Sequence, residues 1–449
     1  MLEPSAQIES ILTAVTTQPG AVAGMQAALQ RVSEFPSPLA AMLTGIALDP
    51  AGRDLAEQLL DAAWADETRR QVTLSASNAQ REVIIGSGCH AAVYAAVRVL
   101  SGYPKPLVLE RGARAGGTFA MTTRPTFYLN SRNQAGGAGL AGDLGASLNY
   151  LPGAPLQPGH LSMAEYQTNA DLAFVIRLTL AQFADVVTDT NVIAVGDDGP
   201  GVEIAIRDRE PVFAGRVIDA RGVGDPVVQY PAGGSIVTFP QFMQRMAGPW
   251  PLRGVRRAAV IGDGDSAKCA VEALLGIAPP PQLAAAALDQ LERIDWYAED
   301  LPATCDGWRA AIRGRYQAIG RYLRPDRFGV QRLTITGRRA AAVALPGTAL
   351  VDGRAYDLVV SCTGNRESSI GGLFLGSFGD YVLDEDGDAL AREHDSLPAF
   401  RVGPHARLPL TPRERIDGLA AIGENAVSIF RLATKTARLA ATLDAPAER

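Results

Sequence analysis

Two short stretches hold the residue types best suited to chemistry. Gly86-Ser87-Gly88-Cys89-His90-Ala91 and Gly262-Asp263-Gly264-Asp265-Ser266-Ala267 both read Gly-x-Gly-x-x-Ala. Each follows an apolar run, Glu82-Val83-Ile84-Ile85 or Ala258-Ala259-Val260-Ile261, and each opens an alanine-rich helical stretch. In that context the first glycine permits a tight turn, the second lets a pyrophosphate approach the backbone, and the small last residue lets helix and strand pack closely. The phosphates then meet free N–H groups at the positive end of the helix dipole. An acid closing the next strand completes such a site, and Leu107-Val108-Leu109 ends at Glu110, placed to accept hydrogen bonds from adenosine ribose hydroxyls. After the second turn comes Ile294-Asp295-Trp296-Tyr297. Asp295, Glu299 and Asp300 suit a free ribose 2′-hydroxyl, whereas Arg293, Arg309 or Arg313 suit a 2′-phosphate, so NADH and NADPH both stay open. Asp263 and Asp265 put carboxylates near an expected pyrophosphate, which is unfavourable if they point inward.

The elements that must carry these turns follow from pattern. From Arg81 onward short β-rich runs alternate with helical stretches, the signature of a parallel sheet covered by helices. Residues 1–78 read as a helical N-terminal extension, with apolar sets at Ile8, Ile11, Leu12 and Val15 and at Leu55, Leu59 and Ala62. Such a segment packs on the main body, or else serves as a lid or a dimer contact. The 449 residues are 47% hydrophobic and 20% charged, the make-up of a globular protein of several domains. A net charge of −6 supplies no basic field for nucleic acid or an anionic membrane, so a small-molecule substrate is expected. Four cysteines (Cys89, Cys269, Cys305, Cys362) include no CxxC and no metal spacing, and no metal site is expected. No apolar run reaches about 18 residues and no leader is legible, so a cytoplasmic protein is expected. His90 reads as flanking phosphate. Oligomeric state is not legible.

After the first turn, Glu110-Arg111-Gly112 and Gly116-Gly117-Thr118-Phe119 resemble the "E-R-G" and "G-G-T-W" stretch of the flavin-containing and N-hydroxylating (class B) flavin monooxygenases, which are two-dinucleotide-binding-domain flavoproteins. The resemblance continues through Tyr166, the strand around Val186-Val187 and Val217-Ile218-Asp219-Ala220-Arg221-Gly222. The second turn resembles the "G-x-G-D-S-A" of the family's inserted NAD(P)H domain, closed by Asp357-Leu358-Val359-Val360-Ser361-Cys362-Thr363-Gly364 with Asn365 where a Tyr is usual. The fold implied is α/β: two Rossmann-like dinucleotide-binding domains plus the helical extension. Residues 79–248 and 369–449 would form the FAD-binding domain and 249–368 the inserted NAD(P)H-binding domain.

The resemblance further implies FAD held by Gly86, Ser87, Gly88, Cys89, His90, Ala91, Glu110, Arg111, Gly117, Thr118, Phe119, Val187, Gly222, Gly403, Asn425 and Ala426. It implies NADPH (or NADH) held by Gly262, Asp263, Gly264, Asp265, Ser266, Ala267, Thr363 and Gly364. Asn130 would stand by the flavin, itself the reactive centre. The activity implied is monooxygenation of a small molecule by molecular oxygen through a flavin C4a-hydroperoxide. An NAD(P)H-dependent reductase or oxidase without oxygen insertion, and a degenerate flavin-binding partner protein, are the alternatives. Two features depart from the family: the usual "G-D-A" acid is replaced by Gly403-Pro404-His405-Ala406, and the "F-x-G-x-x-x-H" signature before Arg257 is missing.

Overall fold

The computed structural model describes residues 50–76, 81–120, 127–132, 165–197, 201–227, 234–246, 252–277, 290–312, 314–366, 371–410 and 429–443, with a few isolated residues between. Glu82–Ile85 is a fully apolar strand apart from its first residue and sits at the heart of a seven-stranded sheet. Across that sheet the order is Phe378–Leu383, Ala389–His394, Ala399–Arg401, Arg216–Asp219, Glu82–Ile85, Leu107–Leu109, Asp185–Val187. The last five run parallel, and Ala389–His394 is antiparallel to both of its neighbours. A parallel sheet needs helices on its faces. One face is covered by Cys89–Leu100, whose alanines let it lie flat on the strands with Asn169–Phe183 and Ile429–Thr442 against it. That helix is mostly apolar because all but Val99 of it is buried, and its buried Arg98 is paired with Glu82.

A second, wholly parallel sheet of five strands is ordered Ile236–Thr238, Leu358–Ser361, Arg257–Ile261, Arg293–Tyr297, Leu333–Thr336. It has its own core around Phe242, Val260, Trp296, Trp308 and Ile319. The chain passes between the two sheets through one antiparallel pair, Asp225–Pro226 with Asn365–Arg366. Residues before 249 already contribute to the second sheet. Ile236–Thr238 and the helix Phe239–Met246 already belong to the second layer, because Ile236 pairs with Val359 and Phe242 packs in the second core. A strand only three residues long gave no pattern strong enough to be read.

Of the N-terminal extension, Pro50–Ala65 and Glu67–Ser75 are helices, and the Ile8 to Val15 set lies outside the described residues. The buried stripe is Ala56, Leu60 and Trp64, one or two residues on from the expected Leu55, Leu59 and Ala62, of which only Leu59 packs against the core. Leu55 is 48% exposed. The rotation follows from charge: Arg53, Glu57 and Asp61 must also face the body, where Arg53 pairs with Asp171, Glu57 with Arg114, and Asp61 with both Arg114 and Arg177 (2.6 Å each). Arg177, fully buried, stacks on Trp64 and donates to the Ala115 carbonyl at 3.0 Å. The extension thus holds the loop that runs from Glu110 to Phe119.

Candidate functional site

Both glycine turns lie at the carboxyl end of a central parallel strand, where open α/β sheets bind ligands. At the first, Gly86 has φ +97 and a Cβ there would stand 2.8 Å from the Ala220 carbonyl oxygen, so the chain turns where no side chain fits. Gly88 is different: its φ is −81, and a Cβ would meet only Gly117 Cα at 3.8 Å. Gly117 faces it so closely that a Cβ on Gly117 would come within 2.8 Å of Gly88 Cα. Two bare backbones therefore meet at the mouth of the helix Cys89–Leu100, whose first N–H groups have no partner within the helix. Beside them, Glu110 accepts from the Ser87 backbone N–H at 3.2 Å, from the Ser87 hydroxyl at 2.5 Å and from Gly112 N–H at 2.7 Å. Gly86, Ser87, Gly88, Glu110 and Gly117 thus form one constellation that fits the adenosine-diphosphate half of a dinucleotide.

Other expected residues are placed differently. The His90 side chain turns away from the mouth: its Nδ1 lies 3.3 Å from Thr436 Oγ1, and a Cβ on Gly403 would press on its ring at 2.9 Å. Burial, with His405 adding, pushes its pKa down to about 3, so the ring is neutral near pH 7 and brings no charge to a phosphate. His405 likewise faces inward, its Nε2 3.6 Å from Asp219, so it does not project a polar tip where the absent acid would. Asp219 is fully buried; burial alone would raise its pKa, but His405 and Arg221 hold it well below the carboxylate range. Arg221 binds it at 2.8 and 2.9 Å and Arg401 at 3.1 Å. This charged floor under the sheet ends was not legible, since its four members come from two distant segments.

Arg111 pairs with Asp225 of the crossing strand at 2.7 Å. Val187 lies in the core and offers its carbonyl to Glu110 N–H at 2.9 Å. Thr118 is exposed and Phe119 half-buried; the Phe119 carbonyl accepts from Asn169 Nδ2 at 3.0 Å. Cys89 and Ala91 are buried in the helix, and Gly222 is half-buried with φ +75. Asn130 lies in the strand Tyr128–Arg132, paired with Tyr166–Thr168. Asn425 and Ala426 lie outside the described residues.

The second turn repeats the first on its own sheet. Gly262 has φ +125 and donates to Tyr297 O at 3.0 Å, and a Cβ there would be 2.2 Å from the Cys362 carbonyl oxygen. Gly264 has open space where a Cβ would go, and Gly264, Asp265 and Ser266 are exposed at the start of the helix Asp265–Leu275, with Ala267 buried against the sheet. Neither acid points into the mouth. Asp265 reaches Lys268 at 3.3 Å, and Asp263 accepts from Glu299 N–H at 2.9 Å. Thr363 is half-buried, its hydroxyl 3.4 Å from that of Ser361, and Gly364 is exposed. Asp295 is not at the ribose end at all: it is buried against the Tyr356 hydroxyl (2.7 Å) and Arg293 (2.9 Å).

One contact missed by sequence joins the two layers. Arg315, from the insertion, donates to the Leu129 carbonyl at 3.1 Å and to that of Tyr128, and pairs with Glu272. Burial pushes Glu272 up to about 7 despite that guanidinium. In a chain with 42 basic residues no signal marks this Arg out.

Neither a family model nor a curated protein matches the sequence. Solved structures do match. A bacillithiol disulfide reductase from Staphylococcus aureus aligns with a TM-score of 0.53 at 10% identity, over 81% of this chain and 98% of that one. A lysine monooxygenase from Nocardia farcinica aligns with a TM-score of 0.50 at 16% identity, over 80% and 99%. At such identity the likeness is one of fold alone, an α/β fold with two Rossmann-like units. Among the described residues no helix is long and apolar enough to cross a membrane, and no cluster of His, Cys, Asp and Glu could hold a metal.

Proposed function

We propose that the chain is an FAD-dependent oxidoreductase that draws hydride from a nicotinamide dinucleotide, and that it is a monooxygenase acting on a small molecule with molecular oxygen. The observation that carries the oxidoreductase reading is the presence of two complete strand, glycine-turn and helix units on two separate parallel sheets joined by one pair of crossing strands. FAD fits the first unit, because Gly88 and Gly117 leave bare backbone for a pyrophosphate and Glu110 stands at the ribose end. A bound flavin supplies hydride acceptance and oxygen chemistry, and the protein supplies binding and orientation. Ser87 and Gly112 hold the Glu110 carboxylate in place, Arg177 steadies the Ala115 carbonyl beside the turn, and Asn130 is the residue we assign to the reactive edge of the ring.

Oxygen rather than a dithiol is favoured as the electron acceptor. The four cysteines contain no CxxC, and burial pushes the thiols of Cys89 and Cys269 up to about 12 and about 11, far from reactive thiolates. A reductase or oxidase without oxygen insertion is the second reading, favoured by the inward-facing His405 where the resembled family has an acid.

The protein is expected to purify yellow and to bleach on anaerobic addition of NADH or NADPH. Air is then admitted with a panel of amines, thioethers and ketones under labelled oxygen. Label in an organic product supports monooxygenation; peroxide equal to the nicotinamide consumed, with every compound tested, moves the reading to an oxidase. A colourless protein that cannot be reconstituted with FAD sinks both. Glu110→Ala should weaken FAD by about 1.5–3 kcal/mol, the worth of hydrogen bonds to a charged acceptor. Fluorescence titration of the apoprotein measures this, and unchanged affinity would place the ribose elsewhere.

A further inference from the structure

We propose that this chain selects NADH over NADPH, and that Asp263 and Glu299 make the choice. The inference rests on reading the second turn as the nicotinamide site. In a dinucleotide fold the adenosine ribose lies at the carboxyl end of the strand that follows the glycine-turn helix. A carboxylate there accepts from the free hydroxyls, whereas a guanidinium there takes a 2′-phosphate. Here that strand is Arg293–Tyr297, with Tyr297 in register with Ile261 at the start of the turn. Past it come buried Ala298 and then Glu299 and Asp300, both exposed.

Asp263 reaches over from the turn and accepts the Glu299 N–H at 2.9 Å, so its carboxylate is fixed at the same edge. Burial raises its pKa, and the Asp300 and Glu299 carboxylates push in the same direction against the backbone hydrogen bonds. The carboxylates do not make the site, which is the glycine turn; they decide what it accepts.

Among the described residues, three cationic side chains of the flanking segments are already paired with acids. Arg293 binds the buried Asp295 at 2.9 Å, Arg338 binds Asp352 at 2.7 Å, and Lys268 sits at 3.3 Å from Asp265. Arg339 is tied to Glu299 itself at 2.5 Å. Among the described residues, the carboxylates of Asp263, Glu299 and Asp300 thus gather around the single Arg339 guanidinium at the ribose end. A phosphate monoester carries roughly −1.5 to −2 charges near pH 7, so NADPH would bring like charge to this edge, while NADH would bring two hydroxyl donors. The first turn solves the same problem in the same way, with Glu110 one step nearer its strand.

The test uses the holoprotein at low salt, with oxidised NAD and NADP as probes, read by isothermal titration calorimetry alongside anaerobic reduction by NADH and NADPH. Wild type should bind NAD at least about tenfold more tightly, a ratio in keeping with like charges near hydrogen-bonding range at a wet surface. The ratio should shrink as salt screens the repulsion. Glu299→Arg, at an exposed position beside Arg339, should reverse the preference. Asp263→Asn keeps the acceptor for the Glu299 N–H and should narrow the preference without unfolding the turn. Equal or tighter NADP binding by wild type, or a ratio that neither variant moves, would overturn the selection while leaving the nicotinamide site standing. If neither dinucleotide binds and neither reduces the flavin, the nicotinamide reading itself falls and takes the proposal with it.

Discussion

Gly88→Val should give a folded protein that has lost its FAD, with affinity reduced at least about a hundredfold, ~2.7 kcal/mol or more. The two glycines of the first turn do different work, and the substitution exploits the difference. Gly86 is locked by its backbone: φ is +97 and a Cβ would meet the Ala220 carbonyl oxygen at 2.8 Å, so any side chain there strains the strand ends and damages the fold. Gly88 holds an extended conformation that any residue adopts, and a Cβ there touches nothing nearer than Gly117 Cα at 3.8 Å. The methyls of a valine would instead project beside the Gly88–Gly117 contact into the mouth of the helix Cys89–Leu100, which is where a pyrophosphate must come. Circular dichroism and the melting temperature of the apoprotein should therefore match those of wild-type apoprotein, while titration with FAD shows the loss. Full FAD occupancy in Gly88→Val would remove the pyrophosphate from this turn.

The glycine turns were legible because each is a local device: a strand, a tight bend and a helix within about 20 residues, with residue types dictated by backbone geometry. The parallel sheets were legible for a related reason, since alternation of short apolar runs with helices leaves few topologies. What escaped depends on side-chain direction or on distant partners. The buried face of Pro50–Ala65 is set by ion pairs from Glu57 and Asp61 to Arg114 and Arg177, which lie far along the chain, so the apolar spacing alone pointed one or two residues away. His90 follows a phosphate-turn glycine in sequence, yet its ring packs under Gly403 and beside Thr436, a neighbourhood created only when the last helix docks. Asp263 and Asp265 differ by two residues, and turn rather than type sends one to Glu299 and the other to Lys268.

Gly264→Val should leave the flavin in place and abolish its reduction by NADH or NADPH, lowering the reduction rate by at least about a hundredfold. The turn again offers a locked glycine and a free one. Gly262, with φ +125 and a Cβ that would fall 2.2 Å from the Cys362 carbonyl oxygen, cannot be changed without moving the strand that closes the insertion. At Gly264 there is open space, the residue is exposed, and it caps the helix Asp265–Leu275 from outside, so a valine is tolerated by the fold and obstructs only what approaches the helix end. The insertion has its own sheet and its own core and meets the first sheet through the Asp225–Pro226 and Asn365–Arg366 pair. Damage confined to its turn should not reach Glu110 or Gly88. The visible spectrum and FAD content should therefore equal those of wild type, dithionite should still bleach the flavin, and the nicotinamides should not. If Gly264→Val is reduced as fast as wild type, hydride arrives from a dinucleotide bound elsewhere, and the second turn serves the architecture alone.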